Sequence, residues 1–205
     1  MDWSSWAGIL AIAGFVVIVA LFRRWNTDRK MKPLRAVFDG GQYERKGIGL
    51  GETRYVGRYN GRRAVINYDP PSPGKEGMLS LELACRIPWS FYVRVLKKQR
   101  LMGWMAKSGQ KLELNDPALD ARLALHSDTP GPALRWFNDP EVKALVARWI
   151  TEEDAVFIAQ RESNDLKERA LVVQYSYMIP VRTEENMRLL LNRLEWLALK
   201  AEAAG

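Results

Sequence analysis

The sequence predicts an α+β protein: one N-terminal transmembrane helix, then a soluble domain of antiparallel strands with a mid-chain helix and a C-terminal amphipathic helix. Three observations support this fold class. Residues 6–22 form an apolar run without a charged side chain. Several later segments alternate apolar and polar residues, which is typical of half-buried strands. Two segments in the last third repeat apolar residues at i, i+3, i+4 and i+7, which is typical of helices packed on a core.

The apolar run predicts a transmembrane helix over residues 6–22. At about 1.5 Å per residue, a helix from Trp3 to Trp25 covers roughly the ~30 Å hydrocarbon layer of a bilayer. A buried core helix is one alternative, but such a helix would normally carry a polar edge. A cleaved signal peptide is another, but residues 1–5 contain an acid and no base, and residues 21–25 lack a small-residue cleavage site.

The residues around the span predict its orientation and contacts. Six bases lie between residues 23 and 35 against one acid, so residues 1–5 should be extracytoplasmic and the domain cytoplasmic at the inner membrane. The predicted membrane-interface residues at the span are Trp3, Trp6, Arg23, Arg24 and Trp25. On one helical face, Ala7, Ala11 and Gly14 are small enough to let another helix approach. A membrane-protein partner or a homo-oligomer is therefore expected.

Charge is divided unevenly along the 205 residues. Residues 1–111 contain 20 Lys and Arg against 8 Asp and Glu, whereas residues 112–205 contain 11 against 16. A basic half beside a cytoplasmic leaflet predicts attraction to anionic lipid, the bilayer being one partner. Nucleic acid is not expected, because the far half is acidic. Further membrane-interface residues are predicted in an acid-free basic stretch: Lys97, Lys98, Arg100, Trp104 and Lys107.

Pro33 should end the first helix, and residues 23–53 should form a basic juxtamembrane segment and connector before a domain over 54–205. Strands are expected at 54–59 and 62–68 around an Asn60-Gly61 hairpin turn. Alternation predicts further strands at 78–86, 91–95, 119–126, 155–160 and 169–178. Asp139 and Thr183 should cap helices, because each precedes an apolar stripe of helical period. Residues 129–132 are expected to break the chain.

The sequence contains few motifs that would indicate catalysis, metal binding or phosphate binding. The single His126 and single Cys85 exclude a His- or Cys-rich metal site, and no metal or cofactor is predicted. His126 lies beside Ser127 and Asp128, but neighbours on a strand face opposite sides, which argues against a catalytic triad. The glycines between residues 47 and 51 lack the strand and helix that a phosphate-binding loop requires. No catalytic residue is predicted, and the chain is expected to be non-enzymatic.

Three functional hypotheses follow from the sequence. The first is a membrane-anchored, non-enzymatic accessory or scaffolding subunit that presents a cytoplasmic α+β domain at the inner membrane. The second is a module that binds or senses an anionic lipid surface. The third is a membrane-tethered enzyme whose carboxylate chemistry has no recognisable signature. Co-purifying partners would favour the first hypothesis, and binding to anionic liposomes would favour the second.

Overall fold

The computed structural model describes residues 3–45, 53–69, 77–96, 109–152, 155–176 and 183–205. Five helices lie in this part of the chain: α1 (Trp3–Arg35), α2 (Pro117–Asp120), α3 (Pro130–Asn138), α4 (Pro140–Thr151) and α5 (Glu184–Ala204). The strands are β1 (Gly41–Arg45), β2 (Thr53–Tyr59), β3 (Arg62–Asp69), β4 (Met78–Ala84), β5 (Phe91–Val95), β6 (Gln110–Leu112), β7 (Leu123–Ser127), β8 (Ala155–Ser163) and β9 (Glu168–Tyr175). The predicted α+β class is confirmed.

The strands form one antiparallel sheet in the order β1-β2-β3-β4-β9-β8-β5-β7-β6. Residues that pair across strands point to the same face. One paired row crosses eight strands and is apolar throughout: Tyr55, Ile66, Leu81, Val173, Ile158, Val93, Leu125 and Leu112. All eight are buried in the main core together with residues of α3, α4 and α5. We call this side of the sheet the helix face.

The opposite side of the sheet, the second face, has a smaller core. Its next paired row reads Val56, Val65, Glu82, Val172, Ala159, Tyr92, His126 and Lys111. The buried members of this cluster lie in strands or in the β8–β9 turn, where Leu166 is fully buried. The second face therefore mixes apolar residues with a buried carboxylate, whereas the helix face is almost entirely apolar.

The predicted hairpin and two long helices are confirmed. Asn60 and Gly61 have φ of 49° and 77°, the positive values that a two-residue turn between twisted strands requires. Asp139 caps α4 by accepting from the backbone N–H groups of Glu141 and Val142. Thr183 caps α5 by accepting from the N–H of Asn186. The apolar stripe of α5 is buried, as its period predicts: Met187, Leu190, Leu191, Leu194, Leu197 and Ala201.

Two boundaries near the start of the domain differ from prediction. The first helix continues through Pro33 to Arg35, since a proline in the last turn removes a single backbone donor. The predicted connector contains β1, which pairs with β2 in register from Gly41↔Gly57 to Arg45↔Thr53. Glycines at 40, 41, 47, 49 and 51 are typical of irregular backbone, so the local pattern does not indicate this strand. At Gly41 and Gly57 the strands approach so closely that an added Cβ would lie 2.5 Å from a backbone oxygen.

Two further predictions in the middle of the chain are wrong. The strand expected over 119–126 begins only at Leu123, because Asp116 accepts from the N–H of Leu119 and starts the short helix α2 at Pro117. The chain break expected at 129–132 is instead the start of α3, whose first residue is Pro130. Proline favours the first turn of a helix, where its missing N–H has no partner to lose.

Candidate functional site

Helix α1 is the feature that most strongly suggests a functional location. Gly8–Asn26 has a mean hydropathy of 1.9, and none of it is buried within the domain. Leu10 and Phe15 expose 69% and 68% of their surface. Within the described ranges, this is the one helix long and apolar enough to cross a membrane. Exposed apolar surface of this extent is typical of a site that contacts a membrane or another protein.

The predicted interface residues flank this apolar surface. Trp6 and Trp25 are both exposed, and the Arg29 guanidinium lies 5.6 Å from the Trp25 ring centroid. Arg24 is exposed in the same region. The backbone of Trp3 and Arg23 also lies in α1. These positions are compatible with indole rings at headgroup level, and their membrane contact stays a prediction.

The three small residues predicted to receive a partner helix all lie in α1. Ala11 and Gly14 are exposed, and an added Cβ at Gly14 would meet nothing within 4 Å. Ala7 shares their helical face by spacing. This surface has room for a second helix.

The remaining predicted interface residues, Lys97, Lys98, Arg100, Trp104 and Lys107, lie outside the described residues. Their role stays a prediction.

A short junction, residues 36–41, fastens α1 to the domain. Val37 and Phe38 are buried, and the Phe38 ring lies 5.3 Å from that of Tyr55. The Asp39 N–H donates to the Arg58 carbonyl at 2.8 Å, and an Arg188 guanidinium N–H donates to the Ala36 carbonyl at 3.1 Å. Because these contacts begin directly after Arg35, α1 is attached to the folded domain by packed residues.

The second face carries the most buried acid of the described chain. Glu82 is only 3% exposed, accepts a hydrogen bond from the Ser163 hydroxyl and lies 3.5 Å from the Arg161 guanidinium. The Ser163 hydroxyl in turn accepts from the Leu166 N–H at 3.0 Å. Burying a carboxylate is costly unless it is paired and hydrogen-bonded. The arrangement therefore holds the β8–β9 turn against β4.

A second polar cluster ties the same turn to the outer strands. Arg54 pairs with Glu44 on β1 and with Asp165 in the turn, and Asn67 donates to Asp165 at 3.0 Å. The hydrogen bond to Glu44 is the main cause that raises the pKa of Arg54. These contacts connect β1, β2, β3 and the turn, which is a structural role. Alternation in the sequence placed Glu82 on the polar side of β4, but gave no signal of its burial.

The two residues with the most reactive side-chain types are poorly placed for catalysis. Burial raises the pKa of the Cys85 thiol to about 12, so the thiol stays protonated and unreactive. Partial burial, with the positive charges of Arg94 and Lys111, lowers the pKa of His126. His126 pairs with Tyr92 and lies on the second face. Ser127 is the next residue of the strand and therefore points to the opposite face, and its hydroxyl donates to the Ser90 carbonyl. Among the described residues, no group of three or more His, Cys, Asp or Glu could hold a metal ion.

Comparison of the chain with family models, with curated proteins and with solved structures finds no match.

Proposed function

We propose that this chain is a single-pass inner-membrane protein whose cytoplasmic α+β domain acts as a non-enzymatic accessory or scaffolding subunit. The observation that carries the proposal is the exposed apolar surface of α1, continuous with a helix that runs to the packed junction. A bilayer would bury this surface, and the junction would then hold the domain close to the membrane. The basic residues between 23 and 35 favour the cytoplasmic side for the domain.

The accessory role is supported by what the surfaces offer. The small residues of α1 leave room for a partner helix inside the membrane, where close backbone approach is a main source of helix association. In the domain, Glu82 is held by Ser163 and Arg161, and the Cys85 thiol is buried and protonated. These side chains serve the fold, which leaves association as the role that the anchor and surfaces fit best.

Purification in a mild detergent tests this role. The tagged full chain should recover the same membrane-protein partner, or a second copy of itself, in repeated preparations analysed by mass spectrometry and cross-linking. Ala11→Leu adds bulk to the small face and should reduce that recovery. Ala13→Leu is the matched control, because residue 13 points away from residue 11 by about 200° around the helix. Equal recovery by both variants, or a chain that elutes alone, would contradict the proposal.

A further inference from the structure

Arginine residues line a groove beside the β2–β3 hairpin. The groove has a volume of about 790 Å³ and lies between the β2–β3 hairpin, the end of β4 and the C-terminal end of α5. Its charged lining consists of four arginines and two glutamates: Arg58, Arg62, Arg63, Arg86, Glu168 and Glu202. We call it the arginine groove. Its lining carries a net charge of +2.

Two of the four arginines are held by the protein. Arg62 makes a two-pronged pair with Glu202 at 2.7 and 2.8 Å, and Arg63 donates to the Leu166 carbonyl at 2.7 Å. The hydrogen bond from Arg62 is the main cause that lowers the pKa of Glu202. Arg63 also lies 3.3 Å from Glu168. These pairs hold the arginine side chains in place at the walls of the groove. Both glutamates of the lining take part in them.

The other two arginines are available for a ligand. Arg58 and Arg86 are exposed, and neither guanidinium lies within hydrogen-bond or ion-pair distance of a described residue. The charge of Arg86 nevertheless helps to lower the pKa of Glu202. The backbone N–H of Arg86 donates to Glu202 at 3.1 Å, which fixes the chain at the groove wall. The N–H groups of these two guanidinium groups are therefore open to an anion. The carboxylates of Asp39 and Glu195 accept hydrogen bonds from Asn60 in the groove lining and offset part of the positive charge.

The junction places the groove close to α1. Asp39, four residues after the end of α1, donates its N–H to the Arg58 carbonyl and accepts from the Asn60 N–H at 3.1 Å. If Gly8–Asn26 spans the bilayer, Arg35 lies at most about 14 Å beyond the apolar segment. The headgroup layer fills roughly 5–8 Å of that distance, and the Debye length is about 8 Å at physiological ionic strength. The junction therefore joins the lining of the groove directly to the helix that would enter the membrane.

We propose that the arginine groove binds the phosphate group of an anionic membrane lipid, with Arg58 and Arg86 as its ligands. The planar guanidinium fork matches phosphate oxygens and can donate two parallel hydrogen bonds to them. A free phosphate ester has the same recognition chemistry. The lipid is the favoured source because the proposed membrane anchor, on which this inference depends, would keep the chain at a bilayer, where phosphate groups are at high local concentration.

Lipid titration of the full chain in an uncharged detergent tests the groove, with native mass spectrometry as the readout. Wild type should bind phosphatidylglycerol in preference to phosphatidylcholine. Arg58→Gln/Arg86→Gln should weaken phosphatidylglycerol binding about 25-fold, because each base near an anionic lipid contributes about a factor of five. Arg58→Lys/Arg86→Lys should restore part of the affinity by retaining the charge. Melting curves should verify folding, since neither guanidinium makes a hydrogen bond and the loss of the Arg86 charge near Glu202 should have only a small effect.

The matched control is Lys111→Gln/Arg122→Gln, which removes one exposed charge from β6 and one from the residue before β7, remote from the groove. It should leave lipid affinity unchanged. An equal loss in both double variants would overturn the site, because it would show general charge attraction. Glycerol phosphate serves as the soluble phosphate ester for comparison. Tighter binding of this compound than of phosphatidylglycerol would overturn the lipid assignment.

The result of the lipid-binding experiment does not depend on whether the proposed accessory function is correct. Binding in detergent requires neither a partner subunit nor a particular orientation in the cell. Failure of lipid binding would therefore leave the accessory role intact, whereas a chain without partners could still show a groove specific for lipid phosphate.

Discussion

The two longest helices, α1 and α5, contain similar apolar residues and place them in opposite environments. In α5 the apolar residues occupy one stripe, and Leu194 on that stripe is completely buried against the sheet. In α1 they occupy every side, and the apolar segment has no buried residue. Charged residues separate these cases: α5 has seven among its 21 residues, whereas residues 6–22 have none. The α5 helix therefore offers a polar surface to water, and the apolar run of α1 offers none.

The largest expected effect concerns the buried stripe of α5. Leu194→Ala should lower the free energy of unfolding by about 2–5 kcal/mol, because it leaves a cavity between the helix and the sheet. Chemical unfolding of the full chain in detergent would measure this loss. Leu199→Ala is the matched control, because Leu199 lies on the same helix with 52% of its surface exposed. Similar losses in both variants would contradict the docking of α5. An Arg188→Ala variant would be a weaker control, because the Arg188 side chain donates hydrogen bonds to Glu184 and to the Ala36 carbonyl.

A smaller effect is expected from a charge in the centre of α1. Val16→Lys should cost about 2.5–3.5 kcal/mol in membrane insertion, the typical penalty for lysine at the middle of a transmembrane helix. The fraction of protein recovered with membranes should fall accordingly. Leu199→Lys places the same charge on the exposed side of α5 and should change neither membrane recovery nor stability appreciably. Full membrane recovery of Val16→Lys would show that α1 does not need to insert.

The contrast also explains which parts of the fold the sequence could predict. The α5 stripe, the Asn60-Gly61 turn and the Asp139 cap are local signals, and the structure confirms each one. Strand β1 depends on pairing with β2, and α2 and α3 depend on prolines that can either end or begin a helix. Local pattern could not choose between these outcomes. The order of nine strands depends on contacts between distant segments and was not predictable from periodicity.

The candidate sites show the same division. The apolar run in α1 is continuous in sequence, so its interface tryptophans could be named directly. The arginine groove joins three arginines around a hairpin turn with Arg86 from a separate strand end. Clustering of Arg58, Arg62 and Arg63 within six residues was a usable signal. The pairing of these arginines with Glu168 and Glu202 depends on the tertiary fold, because the two acids follow more than one hundred residues later in the chain.

The smallest expected effect is a pH dependence from His126. The folded state lowers the pKa of this imidazole, so the unfolded chain binds more protons between the folded pKa and about 6.5. Stability should therefore decline as pH falls through that window. His126→Asn should remove the decline, because the chain has no other histidine. Unfolding of both proteins across this range would measure the difference, and an identical pH dependence would contradict the assignment.

Labelling of introduced cysteines in intact cells tests the central claim that α1 crosses the membrane and holds the domain inside. The native Cys85 is fully buried with a pKa raised to about 12, so wild type should remain unlabelled and provides the background. Ser5→Cys should react with a membrane-impermeant maleimide in intact cells. Asn164→Cys, at an exposed position in the β8–β9 turn, should react only after lysis. Labelling of Asn164→Cys in intact cells, or loss of the N-terminal residues by cleavage, would contradict the account.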